Sequence, residues 1–415
     1  GFVKIKDREI SDFAFLELRT VAEALHGIVV EQFNELLDFV KEARFARMGA
    51  FPYSPEDGTA AAEMPDQGDE IKQDYFKALQ RQIDFFETDK TVSTVYFGGG
   101  TPSLLSFKEL KTIFNAIEKN FVLDLHEVTL EANPDDLNKE KITEITQLPI
   151  NRLSIGVQSF NNNNLRLFNR RHSAQQAIDA VKLCQDKGLN NISIDLIYGI
   201  PSQTIEEWNI NLDIAISLKC PHISAYHLTF EDGAKITKQR DKGVIKELNE
   251  EESIDLYKLL VQKLKNANIL QYEISNFAIP GMESKHNSSY WNETPYLGVG
   301  PSAHSYNGKI RKWNISNSRL YLQYRKEKKT YFKLEAIDNN TKYNDFVITS
   351  LRTIRGMNLK LLKENFSLKI VNHCLREANR FISTGDMTIN DEYLALSDNG
   401  IFKSDFIMEN LLWVE

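Results

Sequence analysis

Val92-Ser-Thr-Val-Tyr-Phe97, followed directly by Gly98-Gly-Gly-Thr-Pro102, is a β-branched apolar run that ends in three glycines and a proline. A run of this kind, closed by turn residues and followed by apolar residues at three- and four-residue spacing over Phe107–Asn120, reads as a buried strand feeding a helix. The unit recurs. Glu127–Ala132, Arg152–Gln158, Ile192–Tyr198 and His222–Thr229 are the next strand candidates, with Leu270–Asn276 as a further extended run. Between them Lys139–Gln147, Ser173–Lys187, Ile205–Leu218 and Glu251–Ala267 carry helical periodicity. Strands alternating with amphipathic helices predict a parallel sheet, either a barrel or a doubly wound one. In both, ligands gather beyond the carboxyl ends of the strands.

Those ends carry unusual residues: the triglycine after the first strand, Glu131-Ala-Asn-Pro134 at the second, Gln158-Ser-Phe160 at the third and Asp195 within Ile194-Asp-Leu-Ile-Tyr-Gly-Ile-Pro201. Adjacent glycines let the backbone approach a ligand closely, and their amides can hold a carboxylate or a zwitterion. A phosphate loop is not expected, because Gly98–Ser103 has no Gly-Lys-Ser/Thr ending. Two other patterns carry little weight. Gly298-Val-Gly-Pro-Ser-Ala303 matches the dinucleotide fingerprint but follows no clear first strand, and Arg166, Arg170 and Arg171 read as a solvated helix face.

With 415 residues the chain has room for two or three domains, and 42% hydrophobic with 26% charged residues is ordinary for a globular protein. Fifty basic against 58 acidic side chains give a net charge of -8, so no global positive field attracts nucleic acid. No apolar run approaches the roughly 18 residues of a membrane span, and Gly1–Val30 are charged throughout, so a cytoplasmic location is expected. The three cysteines, Cys184, Cys220 and Cys374, lie far apart and match neither a disulfide framework nor a metal-ligand spacing.

Three regions are expected. Residues 1–70 form an N-terminal segment with a helix over Val29–Arg44, a strand over Arg47–Tyr53, a turn at Ser54–Gly58 and an exposed linker over Thr59–Glu70. Residues 71–331 hold the barrel and its extension. Residues 332–415 form a smaller, mainly helical domain whose ending near Tyr393–Ile401 reads as a winged-helix-like strand, turn and helix.

Taken together, Tyr96-Phe-Gly-Gly-Gly-Thr-Pro-Ser-Leu-Leu105, Glu131-Ala-Asn-Pro-Asp135, Asn151-Arg-Leu-Ser-Ile-Gly-Val-Gln-Ser-Phe160, Asn169-Arg-Arg-His172 and Ile194–Pro201 resemble the coproporphyrinogen III dehydrogenase and HemW family of radical S-adenosylmethionine proteins. The likeness continues through Ser224-Ala-Tyr-His-Leu-Thr229, Gln271-Tyr-Glu-Ile-Ser-Asn-Phe277, Ser284-Lys-His-Asn-Ser-Ser-Tyr-Trp291 and Tyr296-Leu-Gly-Val-Gly-Pro-Ser-Ala-His-Ser-Tyr306. The His-Asn-Ser-Ser-Tyr-Trp run places it on the HemW side. Residues 31–67 instead resemble a late barrel segment of the ribosomal methylthiotransferase RimO.

The resemblance implies an α/β fold, an incomplete radical-SAM-type (β/α)6 partial barrel with a smaller helical C-terminal domain. It implies S-adenosylmethionine held by Gly98, Gly99, Gly100 and Thr101, with Glu131, Gln158, Arg170 and Asp195 on its remaining polar atoms. The residue types suit the task, since an arginine can pair a carboxylate twice and carboxylates or amides accept from ribose hydroxyls. It further implies heme at His286, Tyr290 and Trp291, with His286 as the ligand to heme iron, and delivery to a heme-accepting protein; His172 by contrast reads as exposed. Two alternatives stand beside the heme chaperone: an oxygen-independent coproporphyrinogen III oxidase, and a non-functional mosaic remnant. The family's [4Fe–4S] cluster needs three thiolates from a Cys-x-x-x-Cys-x-x-Cys loop. No cysteine precedes Cys184, so cluster ligands are missing and S-adenosylmethionine affinity is expected to be weak or vestigial. An open parallel edge is a liability. The Arg47–Tyr53 strand is therefore expected to occupy the edge the lost first strand would leave, with Glu56-Asp57 near the cluster's place.

Overall fold

The computed structural model describes residues 47–50, 77–83, 91–230, 234–327 and 329–414. The expected Val29–Arg44 helix, the Thr59–Glu70 linker and the Glu56-Asp57 loop lie outside them.

From β1 (Arg47–Ala50) the chain runs through β2 (Thr91–Phe97), α1 (Phe107–Asn120), β3 (Val122–Ala132), α2 (Lys139–Ile145) and β4 (Arg152–Gln158). It continues through α3 (Asn162–Leu167), α4 (Ala174–Asp186), β5 (Ile192–Tyr198), α5 (Ile205–Ser217), β6 (His222–His227), α6 (Lys235–Asp241) and α7 (Glu250–Asn266). Short polar side chains set where helices begin, by accepting amides that the first turn leaves unpaired. Ser106, Ser173 and Asn249 each close a capping box, with Glu109, Gln176 and Glu252 returning the bond.

β1 to β6 lie side by side and parallel. The expectation for the open edge is met: Arg47–Ala50 pairs with Thr94–Phe97 of β2 on one side and with β9 (Tyr296–Val299) on the other. Leu270–Asn276 is different from a further strand. It folds into a hairpin of β7 (Leu270–Gln271) and β8 (Asn276–Ala278), with β8 antiparallel to β6. The turn is held by Glu273, whose carboxylate accepts from Ser275 N–H and from the Asn276 side chain. Beyond β9, the strands β10 (His304–Tyr306), β11 (Ile310–Asn314) and β12 (Phe332–Ala336) complete a 12-stranded sheet.

The two faces of β2–β6 differ. Val95, Phe97, Val128, Leu130, Leu153, Ile155, Ile194 and Leu196 are fully buried in one continuous core with the helices. Because side chains alternate across a strand, the opposite face receives Thr94, Tyr96, Glu127, Thr129, Glu131, Arg152, Ser154, Ser193, Asp195, His222 and Ser224. A parallel strand covered on both sides by helices would be apolar throughout. The polar face is therefore the face that looks into the site.

On that face lies α8 (Lys285–Ser288), while α9 (Ser318–Glu327) follows β11. A second apolar core gathers Tyr343, Val347, Met357, Leu362, Cys374, Phe381, Ile407 and Leu411. It is built from α10 (Asn339–Leu351), β13 (Met357–Asn358), α11 (Leu359–Asn365), α12 (Leu368–Ser383), β14 (Met387–Ile389), β15 (Tyr393–Leu396), α13 (Asp398–Ile401) and α14 (Ser404–Leu411). β13, β15 and β14 form a small antiparallel sheet beside the helices.

Candidate functional site

At the carboxyl end of β2 the chain turns through Gly99 and Gly100, whose φ of 77° and 65° lie in the left-handed region that favours glycine. Gly98 is constrained by space: a Cβ there would stand 2.4 Å from the Tyr96 ring and 2.9 Å from Glu131 Oε1. Glu131 holds this turn. Its Oε2 accepts from Gly99 N–H at 2.9 Å and its Oε1 from the Tyr96 hydroxyl at 2.7 Å. Burial, followed by the charge of Glu131, keeps the Tyr96 phenol well above its usual range.

Two of the other expected residues, Thr101 and Arg170, meet at Asn133. Its side chain donates to Thr101 Oγ1 at 3.4 Å and accepts from Arg170 Nη1 at 3.3 Å. Gln158 sits at the kinked end of β4 with φ 65°, a left-handed conformation that is costly for a residue with a side chain. Its Nε2 lies 3.0 Å from where a Cβ on Gly156 would be, and Asn133 Oδ1 lies 3.7 Å from the same point. Asp195 lies in the middle of the next strand, β5, 3.4 Å from Ser154 Oγ. Enclosure by the surrounding atoms pushes its carboxyl up to about 7, assisted by Glu131 and opposed by hydrogen bonds from Ser224 and Ser154. The glycine turn is thus tied to Glu131, and Thr101 and the loop residue Arg170 to Asn133, while Gln158 and Asp195 lie on the next two strands, β4 and β5.

The segment Ser284–Trp291 lies against the same polar face, further down β2 and β3. Glu127, four residues before Glu131, receives Lys285 N–H at 2.8 Å, His286 N–H at 2.9 Å and the Ser284 hydroxyl at 3.2 Å, and so anchors the start of α8. His286 is 1% exposed. Its Nδ1 bonds Thr94 Oγ1 at 2.9 Å, its Nε2 lies 3.2 Å from the Tyr290 hydroxyl, and its ring stacks on Tyr96 at 5.1 Å. Tyr290 meets His286 and Tyr296 edge to face. Trp291 lies under the Arg352 guanidinium. His286 and Tyr290 therefore share one aromatic wall with Tyr96 and Tyr296.

Two family models match the chain, the Radical SAM superfamily over residues 61–213 and the HemN C-terminal domain over residues 337–402. The heme chaperone HemW of Lactococcus lactis subsp. lactis (strain IL1403) is 31% identical over 81% of this chain and 89% of its own length. The chain belongs to the HemW family of radical SAM proteins. HemW of Bacillus subtilis (strain 168) is 34% identical over 66% of this chain and 73% of its own. Among solved structures, coproporphyrinogen III oxidase (HemN) from Escherichia coli superposes with a TM-score of 0.78 at 20% identity, covering 91% of this chain and 92% of that one. The fold is accordingly the α/β partial barrel with a helical C-terminal region.

Radical SAM proteins use S-adenosylmethionine with a [4Fe–4S] cluster, and the residues present fit only the first. The glycine turn, held by Glu131 through Gly99 N–H, suits the polar end of S-adenosylmethionine. The cysteines do not suit a cluster. Cys184 and Cys220 are sealed in the barrel core, where burial pushes both thiols up to about 12, and Cys374 belongs to the second core. Among the described residues no group of three His, Cys, Asp or Glu is placed to hold a metal ion.

Other expectations resolve differently. His172 is buried, not exposed: its Nε2 lies 3.1 Å from the Val157 carbonyl, and burial lowers its pKa. Arg171 pulls this loop inward through ion pairs to Asp135 at 2.8 Å and Asp136 at 3.4 Å. Gly298 is a glycine because a Cβ would stand 2.1 Å from the His304 carbonyl oxygen, so the dinucleotide-like pattern serves a close strand crossing. Among the described residues no helix is long and apolar enough to cross a membrane. Tyr96, Thr94, Glu127, Asn133 and Ser154 were not anticipated as site residues. Their signal was the polar residue at every second position of β2, β3 and β4.

Proposed function

We propose that this chain binds heme at His286–Trp291 and passes it to a heme-accepting protein, as a HemW-type heme chaperone. The observation that carries the reading is the seat of His286: a buried imidazole stacked on Tyr96, beside further aromatic rings, on the polar face of a HemW-family barrel. Histidine is a frequent axial ligand of heme iron. Nε2 is the atom assigned to it here, and it becomes available when the Tyr290 hydroxyl turns away. The glycine turn, with Thr101, Glu131, Gln158, Arg170 and Asp195, is assigned to S-adenosylmethionine, held weakly without a cluster. Residues 1–70, 71–331 and 332–415 are taken as three units; the separate second core supports the last division, and β12 is the strand that links the two bodies.

The coproporphyrinogen III oxidase alternative has less in its favour. The Escherichia coli structure shares the fold at 20% identity, and the three cysteines here cannot supply cluster ligands.

Titration of the full chain with heme, followed at the Soret band, tests the assignment. His286→Ala is expected to weaken binding by at least about tenfold, whereas His126→Ala, on the surface, leaves it unchanged. Tyr290→Phe releases Nε2 while keeping the ring, and is expected to bind at least as tightly as wild type. Equal affinities in wild type and His286→Ala would remove the histidine from the site.

A further inference from the structure

We propose that the Trp291 indole and the Arg352 guanidinium form a carboxylate subsite that takes a propionate of the bound macrocycle. This rests on the heme-binding reading above. Arg352 caps the carboxyl end of α10, and its guanidinium carbon lies 4.9 Å from the centroid of the Trp291 ring. Trp291 Nε1 and Arg352 Nε are both buried, and neither has a hydrogen-bond partner. Buried N–H groups are nearly always paired, so two orphans in one stacked pair call for an explanation.

The nearest counter-charge does not supply it. Glu273 Oε2 stands 3.6 Å from Arg352 Nη2, beyond hydrogen-bond reach, and is itself without a hydrogen-bond partner. Its other oxygen is already engaged by Ser275 N–H and the Asn276 side chain. Glu273 thus balances the guanidinium charge without occupying its donors. An indole and a guanidinium can only donate, so the complementary ligand is an acceptor, and an anionic one gains most from the arginine.

The subsite is held in place by backbone bonds across the junction. Ile274 N–H donates to the Arg352 carbonyl at 3.0 Å, Ile354 N–H donates to the Tyr272 carbonyl at 3.2 Å, and Glu273 bridges Thr353. Trp291 closes the same segment that begins with His286. Heme carries its iron at the centre and two carboxylates at one edge. The histidine assigned to the first and the indole of the donor pair assigned to the second lie five residues apart in one segment.

The experiment compares iron protoporphyrin IX with its dimethyl ester in Soret titrations of the full chain. Wild type is expected to prefer the diacid by at least about tenfold, the worth of a charge-assisted hydrogen bond. Trp291→Phe keeps the ring and removes the N–H, and Arg352→Ala removes the cation. Both are expected to reduce that preference while changing ester affinity by less than about twofold. Equal wild-type affinities for acid and ester would overturn the subsite and leave heme binding standing, as would a preference that survives both substitutions. Binding of neither porphyrin would remove the heme reading and the subsite with it. The wild-type comparison needs no substitution, so a variant that fails to fold does not obscure the result.

Discussion

His286 stacks on Tyr96 at a centroid separation of 5.1 Å and an interplanar angle of 28°, while the Tyr96 hydroxyl donates to Glu131 Oε1 at 2.7 Å. One tyrosine thus forms the wall between the segment assigned to heme and the glycine turn assigned to S-adenosylmethionine. Thr94 and Tyr96 on β2, with Glu127 and Glu131 on β3, serve both sites from adjacent strands.

Tyr96 separates stacking from hydrogen bonding. Tyr96→Phe keeps the ring and is expected to cost about 0.5–1.5 kcal/mol of stability for one lost hydrogen bond. Tyr96→Ala also leaves a cavity beside His286 and is expected to cost about 2–4 kcal/mol. Urea denaturation measures both. Equal losses in the two variants would show that the stack contributes nothing.

Glu127 is 3% exposed and accepts two backbone N–H groups and one hydroxyl from the start of α8. Glu127→Ala orphans those donors and is expected to destabilise the chain by about 2–4 kcal/mol and to loosen the His286–Trp291 segment. Glu127→Gln, which retains one acceptor oxygen, is expected to lose less. Near-UV circular dichroism and denaturation midpoints report this; an alanine variant with unchanged signals would show that α8 is held by something else.

Asp195 makes stability depend on pH. Its folded pKa, raised from 3.8 to about 7, means that the native state keeps a proton which the unfolded chain releases. Its contribution is complete below about pH 4, the ordinary aspartate range, and is lost as pH rises through 7. Asp195→Asn removes this loss. The variant is expected to gain on wild type between pH 4 and 8, by about 1–3 kcal/mol because part of the carboxylate surface remains in water. Thermal melts across that range decide it, and a wild type and variant that run parallel would place the proton elsewhere.

Reconstitution with iron and sulfide under anaerobic conditions is expected to give no [4Fe–4S] absorption and no reductive cleavage of S-adenosylmethionine. The buried, protonated thiols of Cys184, Cys220 and Cys374 cannot converge on one cluster. Calorimetry is expected to find weak binding of intact S-adenosylmethionine, weaker still in Asp195→Ala. Substantial 5′-deoxyadenosine would contradict the first expectation, and tight binding indifferent to Asp195 the second.

Much of this was legible in the sequence because the βα rhythm is local. A buried strand and its following helix declare themselves within twenty residues, and Val92–Phe97 and Phe107–Asn120 needed only their own periodicity. Even Arg47–Ala50 was placed correctly, since an unpaired parallel edge demands a neighbour. What escaped was non-local. Nothing near His172 reveals that Asp135 and Asp136 draw its loop against the sheet. The hairpin at Leu270–Asn276 depends on one carboxylate folding back on its own turn. Glu127 looked like an ordinary strand residue because its partners lie more than 150 positions away. The alternation of polar residues along β2–β4 did mark the site-facing side, and only the apolar half of that pattern was read.

The insertion of β1 turns the sheet into two flaps sewn along a seam four residues long. On one side stand the seven strands from β2 to β7 in sheet order, on the other the four from β9 to β12. Without Arg47–Ala50 each flap would present a raw row of amides and carbonyls to the other. Another element that straddles the gap is α8, whose start is tied to β2 and β3 and whose chain runs on into β9. The helix that carries His286 is therefore also a stitch, and any ligand that pulls on it pulls on the joint between the flaps.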